Sequence, residues 1–389
     1  MKKLLPTFLL ALVAVFASAQ RRSNPVQFEY DTYYQYFFEN REFDYGVQSP
    51  TASSTINALV LTPSVGLSFF DGKNVNHRLT LGIDVRKDMG SGRGHRYLDE
   101  VTAHYDGHLS LEDGSLFEGI IGVFPRHFCE GEYGQGFFSD STLFADRNME
   151  GVLLKYRSHK FYAELGADWM GQKDSLRKER FMILSALQWR PADWLQLGFA
   201  GTFYHYAGSV VAPGVVDNNL INPYLRFDLA KQTGLQELSL KLGLMGTYQW
   251  DRKREPAQTI KAGFEGVFTA KKWNISLLNT FFSGDGFQYL YDNKDLGGYK
   301  YGSNLYFGNR FYGYSLYDCA ELAWTPRLGR SLSLAIRARF HFCEQGFIGN
   351  TQTLSFVFGL DRLRHPKWGA GRIGEPYNRK INTKQYQSL

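Results

Sequence analysis

Residues 26–38 read VQFEYDTYYQYFF, and the alternation within them decides the fold. Val26, Phe28, Tyr30, Thr32, Tyr34, Tyr36 and Phe38 alternate with Gln27, Glu29, Asp31, Tyr33 and Gln35. A period of two puts the first set on one face of a strand and the second set on the other. A soluble β-sandwich shows the same alternation, so recurrence and spacing must separate the readings. The pattern returns over 59–69, 77–85, 101–111, 117–125, 152–156, 161–169, 181–189 and 195–205. It continues over 221–229, 238–250, 260–270, 273–281, 320–324, 332–342 and 354–360. That predicts sixteen strands, and a single-chain bacterial barrel with both termini in the periplasm needs an even number.

The connections sort by parity. After even-numbered strands come DGKNVN (71–76), EDG (112–114), RSHK (157–160), RPAD (190–193), AKK (270–272) and PRLGR (326–330); AKQTGLQE (230–237) is longer. After odd-numbered strands the segments are mostly long: 39–54, 87–97, 126–148, 170–179, 207–219 and 283–313. Short turns on one rim and long loops on the other describe an outer-membrane barrel, and a sandwich has no reason to sort its loops this way. Trp169, Trp189, Trp194, Trp250, Trp273 and Trp324 fall at or near predicted strand ends, where amphipathic rings form girdles at headgroup level. Leu238, Leu240, Leu242 and Leu244 are expected to face lipid, with Ser239, Lys241 and Gly243 facing the lumen.

Composition agrees. Aromatic residues make up 16% of the chain, Gly occurs 40 times and charged residues are only 21%. The longest uncharged stretches, 47–70 and 194–216, are broken by Ser, Thr, Gly, Pro or Asn and offer no spanning helix. The net charge of +6 does not argue for nucleic acid. The first residues, MKKLLPTFLLALVAVFASAQ, combine a basic start, an apolar stretch and Ala17-Ser18-Ala19, which reads as a signal peptide over 1–19. An uncleaved anchor is the alternative, and the apolar stretch is short for one. The barrel is expected over 20–361, and the basic segment 362–389 is read as a periplasmic tail.

The sixteen-strand layout with a long third external loop resembles the bacterial porins, and the run FFSDSTLFADRNMEGVLLKY (137–156) is similar to a segment found in porin-type barrel proteins. The resemblance implies an all-β transmembrane up-and-down barrel in a Gram-negative outer membrane. It implies passive diffusion of small polar solutes, and a third loop folded into the lumen with its carboxylates set against wall arginines. Here that loop supplies Glu130, Glu132, Asp140 and Asp146. Strand fifteen supplies Arg337, Arg339 and His341, whose parity points them into the lumen. The same arginines serve equally well as braces for loops. Lumen-parity charges are mixed: Arg78, Arg86, Lys155, Arg226, Lys241 and Lys261 against Asp84, Asp106, Glu164, Asp168, Asp228, Glu265 and Glu321. Near balance predicts weak charge selectivity. Tyr204 and Tyr224 on the lumen face offer stacking surfaces for sugars, or simply fill space beside a loop.

Other classes of function have narrower support in the chain. His104, Asp106 and His108 alternate on the lumen face of strand four, a row able to bind a metal or move protons, although ordinary lumen histidines read the same way. No G-x-S-x-G or H-E-x-x-H is present, so the expectation is no enzyme and no cofactor. The alternative to the porin is a plugged barrel that binds, assembles or exports with a partner protein. Lipid and small solutes are the expected partners, with a homotrimer left open. Three cysteines, Cys129, Cys319 and Cys343, leave at least one without a partner inside the chain.

Overall fold

The computed structural model describes residues 26–43, 51–71, 74–90, 98–210, 212–253, 257–291, 301–326, 328–329 and 331–359. The proposed signal peptide and tail lie outside them. Sixteen strands form a closed antiparallel barrel in which each pairs with its sequence neighbours and β1 pairs with β16. They are β1 (Gln27–Phe43), β2 (Ser54–Phe70), β3 (Val75–Asp88), β4 (Leu98–Ser110), β5 (Leu116–Pro125), β6 (Asn148–Arg157), β7 (Phe161–Gly171) and β8 (Arg180–Ala192). The circuit continues through β9 (Leu195–Tyr206), β10 (Val216–Asp228), β11 (Glu237–Asp251), β12 (Gln258–Lys272), β13 (Ile275–Gly284), β14 (Leu316–Trp324), β15 (Leu332–Cys343) and β16 (Gly346–Gly359). Tyr36 is opposite Phe356 on one side and Leu59 on the other, so the first strand is paired along both edges. Closure leaves no sheet edge in lipid, where an orphan backbone group has no water to turn to.

The alternation orients every strand. On β11, Ser239 and Lys241 are buried while Leu244 is 65% exposed. On β15, Arg337 and His341 are buried while Ile336 and Phe340 lie outside. Charged groups are inside and apolar groups outside, the arrangement a lipid solvent imposes. The six tryptophans named above are all exposed on the outer surface near strand ends.

Local chemistry explains the departures from expectation. Pro223 lies within β10 and has no N–H for the ladder to β11. The Leu244 carbonyl opposite instead accepts from Asn222 Nδ2 at 3.2 Å. Gly243 makes this possible, since a Cβ there would meet Asn222 Nδ2 at 2.5 Å. The turn expected at 270–272 falls instead at Trp273-Asn274, with φ of 50° and 67°. Two residues at positive φ make the left-handed turn that matches the twist of a hairpin, and asparagine tolerates that region well. β16 begins eight residues earlier than its apolar pattern suggested, because the polar run Asn350, Thr351, Gln352 and Thr353 continues the strand. A two-residue turn therefore joins β15 to β16, the exception to long external loops.

An arginine at Leu244 should cost ~2–4 kcal/mol because it places a charge in the middle of the lipid face, whereas Leu244→Val should leave stability nearly unchanged. Urea unfolding of the protein in lipid vesicles measures both.

Candidate functional site

The segment 126–147 between β5 and β6 makes contacts widely around the barrel. It holds a 3-10 turn (Arg126–Phe128) and a short helix, α1 (Asp140–Ala145), capped by Ser139, whose side chain accepts from Thr142 N. On β7, the Glu164 carboxylate accepts from Glu130 N at 2.7 Å and Gly131 N at 2.9 Å. Glu130 in turn meets Lys155 Nζ at 3.2 Å and also Arg157, both on β6. Glu132 meets Arg226 Nη1 of β10 and Gln196 Nε2 of β9, each at 3.0 Å. Asp140 meets Arg339 of β15, whose Nε also donates to Glu321 at 2.5 Å.

Of the seven sequence-predicted site residues, Asp140 and Arg339 are brought together. Arg337 is buried beside Glu321, 3.8 Å away. His341 accepts or donates at Tyr317 Oη, 2.9 Å away, and stacks on Phe311, so it packs with the loop 301–314. Glu130 and Glu132 pair with cations of β6 and β10 instead of the β15 ladder. Asp146 stays local, 3.1 Å from Arg126 Nη2. The wall partners Lys155, Arg226, Glu164 and Glu321 were on the expected lumen face, but strand parity carries no information on which strand a loop residue reaches.

A second segment joins the first. Ser139 N donates to Phe307 O at 2.7 Å, and Asn309 N donates to Gln135 O at 2.7 Å. A Cβ on Gly308 would lie 2.0 Å from Gly136 O, so the two backbones touch there. Phe137, Phe138, Leu305 and Phe311 share one apolar cluster with Met182, Leu184, Met245 and Phe282 of the wall. Tyr204 is buried under this assembly, its hydroxyl donating to Asn304 O at 2.7 Å, and Tyr224 is buried with its oxygen accepting from Gln196. Neither presents an open face for a sugar. Asp106 takes Arg78 Nη2 at 2.6 Å and His108 Nε2 at 2.9 Å, while His104 packs edge-on to Phe128. Asp106 and His108 thus belong to an internal polar network with Arg78, and His104 packs on aromatic rings. Cys129, Cys319 and Cys343 are free thiols.

The outward face carries a polar cluster that the sequence reading passed over. His205 shares parity with the exposed Phe203 at the long-loop end of β9. Its Nδ1 lies 2.6 Å from Asp217 Oδ1 on β10. Arg252 Nη2 is 3.1 Å from Asp217 Oδ2, and its guanidinium sits 4.9 Å from the Trp250 ring. Phe181 stacks on His205 and on Trp169. The signal available was parity: a histidine and an aspartate at lipid-facing positions of adjacent strands.

The family model described as lipid A 3'-O-deacylase-type matches residues 20–359. That family is one of enzymes, and it overturns the expectation that the chain is not one. Linear motifs were absent because groups on neighbouring strands leave no fixed spacing. No curated protein matches in sequence. Among solved structures, the anion-selective porin from Comamonas acidovorans is similar at a TM-score of 0.53 and 9% identity, over 86% of this chain and 99% of that one. A loop L8 deletion mutant of OmpT, an outer membrane protein of Vibrio cholerae, gives 0.53 and 8%, over 86% and 99%. These likenesses show the barrel fold, and a closed sixteen-strand barrel with an apolar outer face is the architecture of a Gram-negative outer membrane.

Burial works to raise the Glu132 carboxyl, but Arg226 and Lys241 outweigh it and hold it below the ordinary glutamate range. A lowered folded-state value stabilises the protein above the unfolded value, and that contribution disappears as pH falls through the lowered one. Wild type should therefore exceed Glu132→Gln in unfolding free energy at pH 7, with the gap closing below about pH 4. Gly308→Val should separate the two loops and speed hydrogen exchange at 135–142 while the barrel stays closed.

Proposed function

Because the chain belongs to the lipid A 3'-O-deacylase-type family, we propose that it hydrolyses an ester-linked acyl chain of an outer-leaflet lipid at His205 and Asp217. One observation carries this reading: His205 Nδ1 is held at 2.6 Å by Asp217 on the outward surface, and Nε2 has no partner among the described residues. A carboxylate on Nδ1–H fixes the ring and supports the imidazolium that forms when Nε2 takes a proton. Nε2 removes a proton from water, and the water oxygen bonds to the acyl carbon. The ester C–O bond then breaks, and the leaving alkoxide recovers the proton from Nε2. A free fatty acid and an alcohol result. The aromatic rings of Phe181, Phe203 and Trp169 supply an apolar bed for the chain, and Trp169 and Trp250 stand where girdle residues meet headgroups.

His205→Ala should lower acyl release by about 10²–10⁴-fold, the usual contribution of a general base, and Asp217→Asn should lower it similarly. Mass spectrometry of lipid extracted after incubation with refolded protein reads the loss of one chain. Release by the folded His205→Ala protein at the wild-type rate would exclude this site.

A second reading has its own support. We take the contacts of segment 126–147 with β6, β7, β10 and β15 to mean a loop folded inward across the lumen, narrowing a passage for small polar solutes. The mixed charge of Asp140, Glu321 and Arg339 at that level favours weak charge selectivity. Planar bilayers should then show ohmic steps with a small reversal potential, shifted toward cations in Arg339→Ala. Silence from correctly folded barrel would remove the channel and leave a plugged barrel with a partner.

A further inference from the structure

A cavity of about 740 Å³ lies inside the short-turn half of the barrel, bounded by loop residues 127–133 on one side and open toward the rim that faces the periplasm in such barrels. Its volume falls in the range of small-molecule sites. Most of its charges are already committed. Glu132 holds Arg226, Glu130 holds Arg157, Lys241 holds Glu265 at 3.3 Å, and Asp193 holds Lys231 at 2.6 Å.

Arg190 is not committed in this way. It lines the cavity and is exposed. Its Nε donates to Gln196 Oε1 at 3.0 Å, and no described group meets either Nη. Gln196 is itself fixed, since its Nε2 donates to Glu132 Oε1 at 3.0 Å and to Tyr224 Oη at 3.1 Å. The guanidinium is thus oriented by its inner nitrogen, with its outer pair of N–H groups free. That planar fork matches two oxygens of one carboxylate or phosphate. Lys160, whose carbonyl accepts from Arg190 N at 2.8 Å, brings a second cation to the same wall. The rings of Tyr133 and Tyr162 also line the space.

We propose that this cavity is a binding site for a small periplasmic solute bearing a carboxylate or phosphate, gripped bidentately by Arg190. The site stands apart from the outward histidine, so its failure would leave the hydrolase reading untouched. Isothermal titration of refolded, detergent-solubilised protein at constant ionic strength tests it, with citrate, glucose 6-phosphate and glucose as probes. At least one of the two anions should bind, with glucose at least tenfold weaker. Citrate alone identifies a carboxylate site, and glucose 6-phosphate alone a phosphate site. Arg190→Ala should weaken binding at least tenfold, and Arg190→Lys should recover only part, because a lysine keeps the charge without the fork. Acyl release by Arg190→Ala should match wild type. Absence of binding by both anions, or equal binding by the folded Arg190→Ala protein, would overturn the proposal.

Discussion

Every backbone amide of this wall must find its partner within the wall. In hydrocarbon an unpaired N–H or C=O costs several kcal/mol, and the remaining features of the molecule answer to that demand. β1 closes on β16 over eleven paired positions, from Tyr33 to Phe43. Where Pro223 removes a donor, the Asn222 side chain supplies one to Leu244 O. Where the chain reverses within two residues, Trp273 and Asn274 adopt left-handed conformations so that ladder pairing resumes at once with Ile275 opposite Lys272.

Closure then determines where charge can go. Lipid surrounds the outside, so the lumen collects the ionisable groups, and these satisfy one another across elements distant in sequence. Glu164 gathers two loop amides, Lys155 joins Glu118 to Glu130, and Arg339 stands between Glu321 and Asp140. Against that background, the polar cluster of His205, Asp217 and Arg252 on the outward surface is a departure. It presents a base, an acid and a cation at one place, beside the rings of Phe181 and Trp250.

The sequence carried the wall almost completely, because period two and aromatic strand ends are local signals. All sixteen strands are where the alternation put them, and the errors lie at ends: polar Asn350–Thr353 hid the start of β16, and Trp273 looked like strand although it turns. The site was legible only in part. Parity placed Arg337, Arg339 and His341 inside, yet it could not tell that Phe311 would cover His341 or that Glu132 would reach Arg226. Pairing between a loop and a wall strand is a property of three-dimensional closure. The outward His205–Asp217 pair was hidden for a related reason. Its members are separated by a loop, and period two assigns charges to the lumen by default.

The contact between the two loops bears on the order of assembly. Thr142 Oγ1 donates to Phe307 O across a separation of 165 positions, so that bond waits until most of the strands between them have been laid side by side. Contacts this distant carry a large loop-closure cost until the intervening chain is ordered. The wall is therefore paired first, and the apolar assembly around Phe137 and Leu305 condenses late, against strands already in register. A chain arrested before that step would have a closed sheet with its two loops still apart.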